Sequence, residues 1–106
     1  MNDWRAPIHP GEILGEELAE IGMNALELAK RIEVPNNRIY QILEGKRSIT
    51  ADTALRLAAF FNVSAEFWLN LQKAYELDLA RRAIGDRLKT IRPLQRAQDL
   101  PQSLPS

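Results

Sequence analysis

A chain of 106 residues is long enough for one compact domain and too short for two substantial ones. Its composition, 45% hydrophobic and 26% charged, is typical of a folded globular protein, and the absence of cysteine excludes disulfide scaffolds, thiolate zinc sites and cysteine nucleophiles. The 14 basic and 14 acidic side chains cancel, so the chain lacks the overall positive charge common in nucleic-acid-binding domains. It has no apolar run long enough to cross a membrane and no N-terminal export signal. We therefore expect a soluble, cytoplasmic protein with no membrane partner.

The charges are segregated along the chain. Residues 1–29 carry six acidic side chains and one basic side chain, whereas residues 30–56 carry six basic and three acidic ones. Residues 57–80 are acidic again, and residues 81–106 carry six basic and two acidic side chains. Alternating blocks of this kind favour two differently charged partners over none.

Apolar residues recur at helical spacing through most of the chain, and no segment shows the alternation of a half-buried strand. We therefore predict an all-α fold. The first helix is predicted from about Pro10 to Ile21, with Gly22 as its C-terminal stop. Leu14, Leu18 and Ile21 form its inward stripe.

Four further helices complete the predicted fold. Asn24, Thr50 and Ser64 are predicted to cap the second, fourth and fifth helices. The third helix has Pro35 in its first turn and ends at Gly45. The residues expected to face inward are Ala25, Leu28, Ala29 and Ile32 on the second helix, Ile39, Ile42 and Leu43 on the third, Ala54, Leu57, Ala58 and Phe61 on the fourth, and Trp68, Leu71 and Tyr75 on the fifth.

The C-terminal part is predicted to hold a helical extension and a flexible tail. The fifth helix is expected to run past Ala80, and the domain to occupy residues 1–92. The segment from Pro93 onward has three prolines and little apolar content, so it cannot offset the entropy cost of being ordered. We expect residues 93–106 to be disordered.

The second and third helices form a helix-turn-helix pattern, because only about three residues separate them and the third helix is short. A close crossing needs a small residue on the first helix of the pair, a hydrophobic residue after the turn and a buried aliphatic residue on the second helix. Ala29, Val34 and Ile39 meet these three needs. With them inside, the helical period turns amide side chains outward: Asn37 and Gln41, with Asn36 at the helix start.

Three ordered motifs resemble a known family. The stretch ALELAKRIEVPNNRIYQILEGKRSIT resembles the lambda-repressor-like, XRE-type helix-turn-helix DNA-binding domain. HPGEIL, GKRSITADTALRLAAFF and FWLNLQKAYELDLA, in that order, resemble one branch of it, the HigA/VapI-type antitoxins of bacterial toxin-antitoxin operons. The resemblance covers His9 to Arg82 and implies a five-helix lambda-repressor-like DNA-binding domain with a C-terminal helical extension.

By this resemblance, the third helix enters the major groove of operator DNA. The base-reading residues it implies are Asn36, Asn37 and Gln41, whose amides can donate to and accept from adenine at once. The residues it implies at the sugar-phosphate backbone are Asn24, Arg38, Tyr40, Lys46 and Arg47. Helix capping by Asn36 and Asn37, and a solvated loop at Lys46 and Arg47, are the alternative interpretations.

One departure from the family concerns the turn between the two helices. Many relatives have glycine where this chain has Glu33. We expect either a left-handed Glu33, at about 1–2 kcal/mol, or a reshaped turn.

The resemblance also implies protein partners. A HigB-like toxin, a small ribonuclease that must attract RNA, would carry positive charge and suit an acidic face on the first helix made of Glu16, Glu17 and Glu20. The alternative interpretation of these glutamates is the solvated side of an amphipathic helix. A homodimer on a palindromic operator is expected on symmetry grounds. An aromatic-rich group is expected to close the core or, in part, to contact the second copy: Phe67, Trp68, Leu71 and Tyr75.

No catalytic or metal-binding constellation is visible. His9, the single histidine, is interpreted as a helix cap or a surface residue, and no phosphate-binding glycine loop occurs. We expect no enzyme activity, no cofactor and no metal. The predicted function is a sequence-specific DNA-binding antitoxin that represses its own operon and neutralises its toxin by complex formation. The alternatives are a stand-alone XRE-type transcription regulator and an interaction module without DNA binding.

Overall fold

The computed structural model describes residues 6–95, and these form five α-helices and one short 3₁₀ helix, with no strand among them. This architecture confirms the predicted all-α, five-helix class. The elements in chain order are α1 (Pro10–Ile21), α2 (Ala25–Ile32), α3 (Asn36–Leu43), α4 (Ala51–Phe61), α5 (Ala65–Ile84) and the 3₁₀ helix (Gly85–Thr90).

Polar side chains start four of the five α-helices. The predicted caps Asn24, Thr50 and Ser64 each accept a hydrogen bond from a backbone N–H in the first turn of the helix that follows. Asn24 and Glu27 form a reciprocal capping box. The cap of α1 is His9, whose side chain accepts from the Gly11 N–H. These starts depend on residues adjacent in the chain, so the sequence pattern located them well.

The interhelical turn of the helix-turn-helix is made by a left-handed Glu33, with φ 62°. Its N–H donates to the Lys30 carbonyl, and the N–H of Val34 donates to the carbonyl of Ala29 at 3.0 Å. This pair of bonds closes α2 in the way glycine usually closes a helix. The first of the two predicted alternatives is therefore confirmed: the turn keeps its form, and Glu33 carries the cost of the left-handed backbone.

The core lies between α1, α2, α3, α4 and the first turns of α5. It follows the predicted inward stripes, since α2 packs on α3 and α4, and α1 packs on α3 and α5. Ile21 is an exception, because it is the last residue of α1 and is 51% exposed. The buried hydrophobic residues are Leu14, Leu18, Ala25, Leu28, Ala29, Ile32, Ile39, Ile42, Ile49, Ala54, Leu57 and Trp68.

The C-terminal half of α5 extends away from this core. The helix runs to Ile84, past Ala80 as predicted, and every residue from Leu79 to position 95 is exposed. Of the predicted tail, residues 93–95 form no regular structure, and residues 96–106 lie outside the described part of the chain. No helix within residues 6–95 combines the length and the apolar character needed to cross a bilayer.

Candidate DNA-binding interface

The helix-turn-helix pair places α3 with one face against the rest of the domain. Ile39 and Ile42 are fully buried, and Ala29 of α2, also fully buried, permits the close crossing. Pro35 is the N-cap of α3 in an extended conformation, so the helix begins one residue later than predicted and ends at Leu43. Pro35 costs no helical hydrogen bond either in the first turn, as predicted, or at the N-cap, as observed. The first N–H groups of a helix have no partner within the helix.

The opposite face of α3 is polar and open to solvent. Asn36, Asn37 and Tyr40 are exposed, and Gln41 is half-buried. Among the described residues no side chain makes a capping hydrogen bond at the start of α3, so the capping interpretation of Asn36 and Asn37 is wrong. Within residues 6–95 the Asn37 amide has no hydrogen-bond partner, which leaves its donor and its acceptor available to a ligand.

The C-terminal end of α3 holds the basic residues next to this face. Gly45 is left-handed, with φ 77°, and its N–H donates to the Ile42 carbonyl at 3.0 Å. The next N–H, of Lys46, donates to the Gln41 carbonyl at 2.8 Å. This closing motif turns the chain sharply, so Lys46 and Arg47 follow the helix directly.

Arg47 has a role that the sequence did not indicate. Its Nε donates to Oε1 of Gln41 at 2.8 Å, so a residue predicted only to contact phosphate contacts a side chain that is predicted to read bases. Both residues are partly or fully exposed. The contact is charge-assisted, and such hydrogen bonds are roughly twice as strong as neutral ones.

Three other residues predicted to contact the sugar-phosphate backbone of DNA already form hydrogen bonds or ion pairs within the protein. Oδ1 of Asn24 is used by the α2 cap, which leaves its NH₂ group for a ligand. Lys46 lies 3.6 Å from the carboxylate of Glu44 in an exposed pair, an interaction of small net energy that a phosphate can displace. Arg38 donates to Asp52, so its charge is partly neutralised. Tyr40 is 47% exposed.

Asp52 is the centre of a network that sequence reasoning missed. Its Oδ2 accepts from Arg56 and Arg38, both at 3.0 Å, and Arg56 also donates to the carbonyls of Ile32 and Glu33 at 2.9 and 3.2 Å. The Arg56 hydrogen bond, together with the positive charges of Arg56 and Arg38, lowers the pKa of Asp52 below its ordinary value of 3.8. The network joins the end of α2, α3 and α4. The i,i+4 spacing of Asp52 and Arg56 was the signal available in the sequence.

The loop after α3 also contacts His9, the N-cap residue of α1. His9 is buried, its ring lies edge-on to Tyr75 at 4.8 Å, and it stands beside Gly45. Burial lowers its pKa, and a hydrogen bond to the Arg47 backbone and the charge of Glu12 oppose that effect. The cap interpretation of His9 is confirmed and the surface interpretation is wrong, because the ring fills the space between α1, α5 and the loop.

The same loop is held from α5. The N–H of Ile49 donates to Oε1 of the buried Gln72 at 2.8 Å, and Nε2 of Gln72 donates to Glu76 at 3.0 Å. Nothing in the local sequence distinguishes Gln72 from a solvated helix residue. The loop that carries Lys46 and Arg47 is thus anchored at both ends.

The acidic face of α1 is a separate surface. Glu16 and Glu20 are exposed, Glu17 is half-buried, and none of the three forms an ion pair with the described residues. Of the aromatic-rich group on α5, Trp68 is buried and Leu71 and Tyr75 are half-buried, while Phe67 is 43% exposed. Residues 6–95 bring together no group of three acidic or histidine side chains that could hold a metal ion.

The geometry is that of a helix-turn-helix domain with an exposed polar third helix. The helix-turn-helix family matches residues 14–68. Virulence-associated protein I of Dichelobacter nodosus is 53% identical over 74 residues, which cover 69% of this chain and 68% of the relative.

Two of the similar solved structures cover most of this chain. An addiction module antidote protein of the HigA family from Coxiella burnetii superposes with a TM-score of 0.82 at 53% identity, covering 85% of this chain and 100% of that one. The Pseudomonas aeruginosa antitoxin HigA, solved with the higBA promoter, gives a TM-score of 0.79 at 42% identity, covering 84% and 99%. This chain belongs to the helix-turn-helix family, in the branch that contains virulence-associated protein I and the HigA antidote proteins, as its motifs predicted.

Proposed function

We propose that this protein is a sequence-specific DNA-binding antitoxin that represses its own operon and neutralises a HigB-like ribonuclease toxin by forming a complex with it. The observation that carries the proposal is the open amide face of α3 beside an anchored basic loop. It is supported by a relative of the same architecture that was solved together with a promoter. We propose no catalytic role, and we propose that the protein acts in the cytoplasm, where its operator would lie.

The dimensions of α3 suit the major groove. Eight residues make a rod about 12 Å long, and the groove of B-form DNA is about 12 Å wide. Asn37 lies on the open face, and neither half of its amide has a partner among residues 6–95, so it can pair with N6 and N7 of adenine. Lys46, Arg47 and the free NH₂ of Asn24 then lie at the edges of the helix-turn-helix, where phosphates run.

Base reading is tested by replacing Asn37 with alanine. We expect specific binding to weaken by about 1–3 kcal/mol and selectivity to relax at one base pair. Lys46→Ala should instead weaken all sequences alike and lower the salt slope by about 1. The probe is a duplex selected by the wild-type protein from a random-sequence pool, titrated at several salt concentrations.

Two exposed residues of α5 are matched controls. Asn70→Ala and Lys73→Ala remove the same side-chain types away from α3, and both should bind like the wild type. If Asn37→Ala and Lys46→Ala also left the titrations unchanged, α3 would not be the reading helix. A protein that no duplex retains in a salt-dependent manner would instead be an interaction module.

The toxin is proposed to dock on the acidic face of α1. Glu16, Glu17 and Glu20 have no ionic partner within residues 6–95, so they are available to a basic protein. We expect the triple substitution to lysine to abolish binding of the toxin while operator binding persists. Glu66→Lys on α5 is the control and should bind the toxin normally.

The toxin experiment uses the product of the neighbouring reading frame in a pull-down and in calorimetry. Toxin binding retained by the triple lysine variant would reject this docking face. If no neighbouring frame encodes a short basic protein, a stand-alone transcription regulator becomes the better description.

A further inference from the structure

The contact between Arg47 and Gln41 determines which way the Gln41 amide faces. The Nε of arginine carries a hydrogen and has no acceptor capacity. Its partner at 2.8 Å must therefore be the carbonyl oxygen of Gln41 and not its NH₂ group. The oxygen is thus turned toward Arg47, and the two donor hydrogens are left for a ligand.

The loop that carries Arg47 is held in place by its surroundings. The Lys46 N–H bonds to the main-chain carbonyl of Gln41, so the loop and the reading residue are joined through the backbone as well as the side chain. His9 packs on Gly45 from one side, and Gln72 binds the loop from the other. The anchored loop fixes where the Arg47 side chain starts, and its planar guanidinium is pre-organised for the contact.

The orientation of the Gln41 amide decides which base edge it suits, because accepting from Arg47 uses one of the two lone pairs of its oxygen and turns that oxygen toward Arg47. Pairing with adenine needs the oxygen to accept from N6 while the NH₂ group donates to N7. Guanine presents two acceptors in the major groove, O6 and N7, so a side chain that reads it needs only hydrogen-bond donors. Asn37, one helical turn earlier on the same face, has no such partner among the described residues and keeps both functions.

We propose that Arg47 is a specificity-determining residue that turns the Gln41 oxygen toward itself and presents the Gln41 NH₂ group to the base, so that Gln41 selects guanine while Asn37 selects adenine. The inference rests on the proposed DNA-binding function and deepens it. The remaining guanidinium hydrogens of Arg47 are free to contact a phosphate, which couples backbone contact to base reading.

The test measures base preference and not affinity alone. The full-length protein selects duplexes from a random-sequence pool. The base pair read by Gln41 is the position at which Gln41→Ala no longer prefers one base over the others. The wild type should prefer guanine over adenine there by about tenfold, within the discrimination expected of one good base contact. Arg47→Ala should bring this ratio close to one or reverse it toward adenine.

Lys46→Ala is the matched control, because it removes the neighbouring cation without touching the Gln41 side chain. It should weaken binding to both bases alike and leave the ratio unchanged. A wild-type preference for adenine at this pair, an unchanged ratio in Arg47→Ala, or no base pair that responds to Gln41→Ala would each overturn the inference while DNA binding stands. Failure of the pool to yield any bound duplex would overturn the proposed function itself.

Discussion

At the residue scale, His9 shows how one side chain can serve several elements. Its Nδ1 accepts the Gly11 N–H at 2.8 Å, and its ring fills the space between α1, the Gly45 turn and Tyr75. Nδ1 can accept only when it is unprotonated, so the fold requires the neutral imidazole. Proton binding would remove the cap of α1 and place a charge in a buried position.

The stability of the protein should therefore depend on pH in the range where histidine titrates. Burial lowers the pKa of His9 below its ordinary value of 6.5, so the unfolded chain binds the proton more readily than the folded one. We expect the free energy of unfolding to fall as the pH drops below 6.5, with a slope of at most about 1.4 kcal/mol per pH unit from this group. Urea unfolding at a series of pH values measures it.

His9→Asn is the control for this pH dependence, because asparagine can still cap α1 but does not titrate. The variant should lose the slope just below neutral pH, although the smaller side chain lowers its overall stability. Asp52 titrates in the wrong range to account for the effect, since its pKa lies below 3.8 and its contribution is lost only in stronger acid. A slope that survives in His9→Asn would refute this role.

At the element scale, the decisive contact is the approach of α1 to the end of α3. A Cβ atom at Gly11 would overlap the carbonyl oxygen of Ile42, so only glycine permits the first turn of α1 to lie there. At Gly15, one turn later, a Cβ atom would meet nothing closer than a methyl group of Leu43 at 3.7 Å, an ordinary contact. Glycine is therefore required by the packing of α1 on α3 at Gly11, but not at Gly15.

The two glycines allow a matched comparison. Gly11→Ala should destabilise the protein by about 1–3 kcal/mol, as overpacking does, and should weaken operator binding because α3 must shift. Gly15→Ala should stabilise it by up to about 1 kcal/mol, since alanine is the better helix former. Denaturant midpoints and operator titrations measure both. Equal shifts for the two variants would show that α1 does not position α3 through Gly11.

At the scale of the whole molecule, the described domain has one proposed reading helix, α3, and a palindromic operator needs two such helices. We propose a homodimer in which each copy places α3 in successive major grooves of a palindrome. The exposed Phe67 and the α5 extension are available to a second copy. The acidic face of α1 would repel phosphate, so the dimer should keep it away from DNA.

The dimer predicts two protected half-sites about 34–36 Å apart on one face of the duplex. Hydroxyl-radical footprinting upstream of the protein's own gene measures the spacing, and sedimentation of the free protein measures its mass. A single protected site bound by one chain, with sedimentation as a monomer, would contradict the dimer.

The sequence by itself determined what depends on near neighbours in the chain. The caps at Asn24, Thr50 and Ser64 act within three residues, and the helical period assigned the buried side of each helix and therefore the open side of α3. The motifs also indicated the family. Glu33 shows the limit of this reasoning, because the sequence offered two conformations and only the fold selected one.

Only the tertiary structure decided what depends on residues distant in sequence. Arg56 meets the end of α2 across 24 residues, Gln72 meets the loop at Ile49 across 23, and Arg38 meets Asp52 across 14. Which polar side chains pair depends on how the helices cross, and periodicity does not specify a crossing. For the same reason, the sequence predicts Arg47 as a cation that contacts phosphate, but its contact with Gln41 depends on the path of the chain after α3.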